Sequence, residues 1–255
     1  TGSAAAATAF ATGHKTNVSF LSVGPDPERY PTLTGFESSI SPYAPIETVL
    51  EALKKTGRAT GLVSTSSITH ATPAAFASHV DNRGKDNEIM ENLVYQDLDV
   101  VFGGGACHLL PSDSNYVTSF GDVWNGKRND GEDLLAVLNS RGYQFVDSKD
   151  GLINVNDGRV WGIFDDSHMD ADIDRDNFHP AQPSIAEMTR KAIEILSKDK
   201  DGFFLMVEGS QVDWAGHAND PLYMITDFLA FDKAVKEAMN FVKNNPNTMV
   251  LVFPD

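Results

Sequence analysis

The sequence predicts an α/β three-layer sandwich built on a central, mostly parallel sheet. Three observations carry the prediction. The short apolar runs are continuous rather than alternating, as in strands buried on both faces. Helical patterns lie between them, and strands alternating with helices mean a parallel sheet in a layered fold. Each run also ends in glycine or polar residues, and in such sheets ligands collect beyond the carboxyl ends of the strands. At 255 residues the chain is long enough for one large domain with a sizeable core.

The elements follow in order. Thr1-Gly2-Ser3 opens an alanine-rich helix that runs to Gly13. Pro45–Lys55 reads as a helix closed by Gly57. Ala59–Val63 is a strand ending in Ser64-Thr65-Ser66-Ser67, and Glu88–Gln96 is a short helix. Leu98–Phe102 is a strand that breaks at Gly103-Gly104-Gly105, a strand-end turn without the Lys-Ser/Thr of a phosphate-binding loop. Asp130–Ser140 carries apolar residues at helical spacing and stops near Gly142. Ser184–Lys198 starts with a capping-box pattern, Ser184 followed three residues later by Glu187. Phe203–Val207 is a strand that runs into Glu208-Gly209. Pro221–Lys243 places Leu222, Ile225, Leu229, Val235, Met239 and Val242 along one helical face. Met249–Phe253 reads as a fourth strand, ahead of Pro254-Asp255. The stretch from about 111 to 180 fits the alternation poorly and is rich in Asp, Asn, Gly and Ser. It is expected as a surface insertion between core strands, within a single domain spanning 1–255.

Composition narrows the function. Lys plus Arg number 20 against 36 Asp plus Glu, a net charge of −16. That field argues against broad binding of nucleic acid or anionic membranes, and suits divalent cations. No run approaches the ~18 apolar residues of a membrane span. The single cysteine, Cys107, leaves no intrachain disulfide framework and reads as a small, partly buried residue. The chain opens without Met or a leader and stops straight after an apolar run. It is expected to be a piece of a longer protein, incomplete at both termini.

Several residues could do chemistry. Ser3 stands where the first helical N–H groups lack partners and the macrodipole is positive, so an alkoxide or a phosphate on that oxygen is favoured. The structural alternative is a serine N-cap. Glu208, Asp213 and His217 follow directly from a strand. Asp213 and His217 are four apart, which brings both to one face of a helical turn. Oxygen with imidazole suits zinc, while Glu208 suits a harder ion such as magnesium. In His70-Ala71-Thr72-Pro73, Thr72 reads as an N-cap with Pro at the first helical position. Arg83 is expected at the end of that helix, where its guanidinium fork could match two phosphate oxygens. His79 reads as a packed or surface helix residue. Asp255 could ligate a metal at the same sheet edge or simply end a turn. The acidic run Asp165–Asp176 lacks the Gly and Glu of an EF-hand loop and reads as a solvated loop.

Taken together, these segments resemble the alkaline phosphatase family: a serine on an Ala-rich helix, strand–His-Ala-Thr-Pro-Ala-Ala…Arg, strand–Glu-Gly…Asp-x-x-x-His, then strand–Asp. The resemblance runs from Thr1 to Asp255 and is weakest from Pro111 to Pro180. It implies an alkaline-phosphatase-like fold and hydrolysis of small phosphate monoesters through a phosphoserine on Ser3. It implies Arg83 as the phosphate clamp, Thr72 and Glu208 as magnesium ligands, and Asp213 and His217 as ligands of the first of two zinc ions. Asp255 would ligate the second zinc, the ion that also touches Ser3. His70 and Trp214 would stand near the magnesium site at positions that vary among relatives. The family commonly has Asp before the serine, whereas this chain has Gly2, which implies a looser hold on Arg83. The resemblance further implies an exported, periplasmic or secreted protein and a homodimer, as relatives typically are. Further family ligands fall beyond both ends of this sequence, so the piece as given is expected to bind zinc poorly and to be nearly inactive. The alternatives are a related superfamily hydrolase acting on phosphodiesters, phosphonates or sulfate esters, and an acidic, non-catalytic cation-binding protein.

Overall fold

The computed structural model describes residues 2–26, 28 and 40–254. In chain order its elements are α1 (Ser3–Thr12), α2 (Val49–Lys55), β1 (Ala59–Ser67), α3 (Ala71–Ala77), α4 (Asp86–Tyr95) and β2 (Val100–Gly104). There follow β3 (Asn115–Val117), β4 (Val123–Asn125), α5 (Leu134–Ser140), β5 (Gln144–Val146), α6 (Lys149–Asn154), β6 (Val160–Ile163) and α7 (Asp172–Phe178). The last are α8 (Ile185–Leu196), β7 (Phe203–Glu208), α9 (Gln211–Ala218) and α10 (Pro221–Asn244).

Five strands form one sheet in the order β5-β6-β2-β1-β7, every pair parallel. Side chains alternate between faces along a strand. Here both alternating sets are apolar, because both faces are covered. Leu62, Val101, Trp161 and Met206 pack with alanines of α1 and α3 and with residues of α4 and α5. Their neighbours Val63, Val100, Phe102 and Val160 pack on the other face with α8 and α10. Helix, sheet and helix give the three expected layers. α8 starts as expected: Ser184 Oγ accepts from Glu187 N–H while the Glu187 carboxylate accepts from Ser184 N–H. α2 carries the same device through Thr48 and Glu51.

Three expectations are corrected. Met249–Phe253 is not a strand, and Met249, Leu251, Val252 and Phe253 are exposed. An apolar run becomes a strand only with a hydrogen-bonding neighbour, and among the described residues none pairs with it. The stretch 111–180 is not wholly an insertion, since β5 and β6 lie in the main sheet. Only the β3–β4 ribbon within it forms a separate sheet. Short strands among Asp, Asn and Gly residues leave too few apolar positions to stand out by composition. α3 ends at Ala77, so Arg83 lies in the following loop rather than at a helix end.

The carboxyl ends of β1, β2, β6 and β7 face one edge. The end of β2 runs so close to the loop after β6 that a Cβ on Gly104 would lie 2.2 Å from the Ser167 carbonyl oxygen. Gly105 N–H donates to the Asp165 carbonyl at 3.1 Å, tying the two loops together.

Candidate active site

β1 and β7 are neighbours in register, with Ser64 opposite Glu208. Glu208 therefore ends its strand beside a row of hydroxyls. Ser64 Oγ donates to Glu208 Oε2 at 2.9 Å, and Ser210 Oγ donates to the same oxygen at 2.6 Å.

Beyond β1 the chain turns into α3, which packs on both β1 and β7. Its N-cap is His70, which makes no side-chain cap bond. Thr72 is the second residue of the helix rather than its cap, which corrects the sequence reading. The Thr72 hydroxyl is buried and has no hydrogen-bond partner among the described residues. Leaving a buried hydroxyl unsatisfied costs roughly 1–3 kcal/mol, so the position calls for a ligand.

α9 carries Asp213 and His217 one turn apart, and the spacing does what it predicted. His217 Nε2 lies 3.5 Å from Asp213 Oδ1, with both side chains more than half exposed. An oxygen and an imidazole nitrogen at that distance have the donor types that two corners of a tetrahedral zinc shell would need.

Arg83 is held in two places. Its backbone N–H donates to the Ser19 carbonyl at 2.8 Å. Its Nη2 donates to His70 Nε2, also at 2.8 Å. A guanidinium has no acceptor, so His70 Nε2 carries the lone pair and Nδ1 carries the proton. That Nδ1 is buried without a partner among the described residues. Burial and then the Arg83 charge push His70 down to about 4, so the imidazole is neutral near pH 7. An imidazole thus orients the arginine.

The sequence reading missed His168. It follows β6, and its Nδ1 accepts the Ser67 N–H at 2.9 Å. Its ring stands 4.5 Å from Trp214 and 6.0 Å from His70, and Trp214 stands 5.5 Å from His70. The three rings join the ends of β1, β6 and β7 edge to face. Nothing in an acidic run singled out one histidine; the signal was its place just after a strand not recognised as one. Ser64 and Ser210 were visible only as polar strand tips.

Ser3 is the first residue of α1, with Gly2 as the N-cap, so the N-cap alternative does not hold. α1 packs on α3, whose first turn carries Thr72. No hydrogen bond links Ser3 to another side chain among the described residues. Asp255 lies outside the described residues.

Other chemical groups belong to the scaffold. Cys107 is buried, and burial pushes its thiol up to about 11. His79 bonds the Ser22 carbonyl and the Glu51 carboxylate, each at 2.8 Å. The carboxylates of Glu91, Asp130 and Glu132 cluster elsewhere, around the buried Arg128 guanidinium, whose Nη2 lies 2.5 Å from Asp130 and 3.3 Å from Glu132. Asp165–Asp176 forms no EF-hand, because α7 begins within it.

Fold and site together define a layered α/β protein with a metal-type donor set and an arginine at the carboxyl edge of a parallel sheet. The chain belongs to the alkaline phosphatase family, whose family model matches residues 1–255. It is 38% identical over 261 residues to alkaline phosphatase 3 of Bacillus subtilis (strain 168), covering 100% of this chain and 48% of that protein. It is 37% identical over 270 residues to the repressible alkaline phosphatase of Saccharomyces cerevisiae, covering 99% of this chain and 44% of that protein. Alkaline phosphatase from the Antarctic bacterium TAB5 superposes with a TM-score of 0.77 at 33% identity, over 97% of this chain and 63% of that one. A TAB5 variant, with a TM-score of 0.75 at 32% identity over 97% of this chain and 61% of that one, holds magnesium in its M3 site. The chain thus spans about half the length of the curated relatives it matches.

Proposed function

We propose that the whole protein hydrolyses small phosphate monoesters through a phosphoserine on Ser3, assisted by two zinc ions and one magnesium ion. The observation that carries this reading is the Thr72 hydroxyl, buried and without a partner among the described residues, in the first turn of α3, the helix that packs on the strand ending in Glu208. Hard oxygen donors of this kind suit magnesium. Asp213 and His217 on α9 suit the first zinc, and Asp255 is assigned to the second. When bound, such ions lower the pKa of a coordinated hydroxyl and offset charge on attacking and leaving oxygens.

The chain's own residues do the rest. Ser3 Oγ attacks phosphorus in line, the phosphorus–oxygen bond to the alcohol breaks, and the alcohol leaves. Arg83 presents two N–H groups to the non-bridging oxygens, and the N-terminus of α1 adds its partial positive charge. Neutral His70 keeps the guanidinium aimed without cancelling its charge. Water then cleaves the phosphoserine, releasing phosphate and restoring Ser3. Residues 1–255 are read as one catalytic domain. An exported, periplasmic or secreted homodimer is part of this reading, on the family resemblance.

The test is turnover of p-nitrophenyl phosphate by the full-length, metal-loaded protein. Ser3→Ala abolishes it, and Arg83→Ala raises KM and the inhibition constant of inorganic phosphate together. Faster hydrolysis of bis-p-nitrophenyl phosphate or of a sulfate ester would overturn the monoesterase reading in favour of a sister activity.

A further inference from the structure

Ser64, Ser66 and Ser210 form a buried hydroxyl cluster that the reaction does not consume. Their residues are 0%, 0% and 4% exposed. Ser64 Oγ lies 2.8 Å from Ser66 Oγ and 2.9 Å from Ser210 Oγ, and Ser210 Oγ lies 3.0 Å from Ser66 Oγ. Three hydroxyls in one apolar layer need a reason, since each buried polar group costs stability unless it is bonded.

Proton counting supplies the reason. Each serine has one hydroxyl proton, and a carboxylate has none to give. Ser64 and Ser210 both reach Glu208 Oε2, at 2.9 and 2.6 Å. With those two protons spent, Ser66 keeps one proton for two acceptors, Ser64 Oγ at 2.8 Å and the Ser67 carbonyl at 3.1 Å. The protons of Ser64 and Ser210 thus converge on Glu208. β1 and the start of α9 thereby hold one oxygen of the carboxylate that ends β7.

We infer that Ser64 and Ser210 are positioning residues that fix Glu208 through Oε2 and so set the protein's affinity for magnesium. The inference rests on the reading of Glu208 as a magnesium ligand. Hydrogen-bond partners of metal ligands orient them, and removing one typically costs roughly 10- to 100-fold in metal affinity or activity.

The experiment uses the full-length protein, stripped of magnesium and titrated with magnesium chloride. Bound metal is read by elemental analysis and the magnesium-dependent rise in melting temperature by calorimetry. Ser64→Ala and Ser210→Ala each shift the magnesium midpoint upward by about 10-fold or more, with zinc content as in the parent. Ser210→Thr, which keeps the hydroxyl, restores the parent midpoint. A midpoint within 2-fold of the parent in both alanine variants would overturn the inference, as would loss of zinc in step with magnesium. Where Ser64→Ala does not fold, Ser210→Ala and Ser210→Thr decide on the same criteria. Glu208→Gln serves as the control. If it leaves the midpoint unmoved, the ligand assignment itself falls and the inference falls with it; if it shifts the midpoint while both serine variants do not, only the inference falls.

Discussion

Thr72→Val turns the orphaned hydroxyl into a measurement. Valine keeps the shape and exchanges the hydroxyl for a methyl. If Thr72 were a scaffold residue with a hidden partner, the change would cost stability. The structure gives that buried hydroxyl no partner among the described residues. In chelator the variant is therefore expected to gain about 1 kcal/mol, the low end of what an unsatisfied buried group costs. For a domain of this size that is a rise of roughly 2–4 °C in melting temperature. With magnesium the order reverses. Ligand at 100 times its dissociation constant stabilises the parent by about 2.7 kcal/mol and a variant without the site by nothing. The parent then exceeds the variant by about 1.7 kcal/mol, the difference of those two contributions. Scanning calorimetry of both proteins in chelator and in magnesium reads all four values. Destabilisation in chelator, or an equal magnesium response, would refute the reasoning.

Two further outcomes follow from the scaffold around the site. His79 sits above its usual 6.5: burial opposes its charge, but the Glu51 bond and the Ser22 carbonyl outweigh burial. Its stabilisation is full below its unfolded value and is lost as pH rises through the higher folded one. Glu51 moves the other way. Burial raises it, but His79, Thr48 and Gln96 together hold it below 4.5, so its share is lost as pH falls. His79→Gln should thus lower the melting temperature most near pH ~5.5 and least near pH ~9; equal losses at both pH values would contradict the pairing. Gly104→Ala drives a Cβ to 2.2 Å from the Ser167 backbone oxygen, which cannot rotate away. It should cost about 1–3 kcal/mol, read as a lower urea midpoint at unchanged slope, and a midpoint equal to the parent's would count against the close approach.

The parts of the fold legible in the sequence are those with a local cause. β1, β2 and β7 announce themselves by unbroken apolar runs because both their faces are buried. The Ser184–Glu187 box and the Asp213–His217 pair lie within one helical turn, so spacing alone places the groups. What escaped depends on partners distant in sequence. β5 and β6 have only three and four residues, and their strand character comes from β2 alongside. Met249–Phe253 has the apolar content of a strand but, among the described residues, no neighbour to pair with. Thr72 carries the residue type and the following proline of an N-cap, but His70 takes that place. No periodicity says that Ser64 will meet Ser210, or that His168 will meet Trp214, because the sheet edge makes those contacts.

The charge of the chain sharpens the role given to His70. A net charge of −16 repels a phosphate ester at long range, so attraction has to be built locally. Arg83 is the side chain proposed for it, and what partners Arg83 decides how much of its charge an anion would meet. A carboxylate partner would orient the guanidinium and offset its field. His70 orients it through Nε2 at 2.8 Å and, held to about 4 by burial and by Arg83 itself, stays neutral from pH ~6 upward. The arrangement feeds back on itself. The arginine's charge keeps the imidazole neutral, and the neutral imidazole leaves that charge uncompensated for an anion. Gly2 fits the same logic, since an Asp there would add another negative group beside Ser3, the serine proposed to take the phosphate.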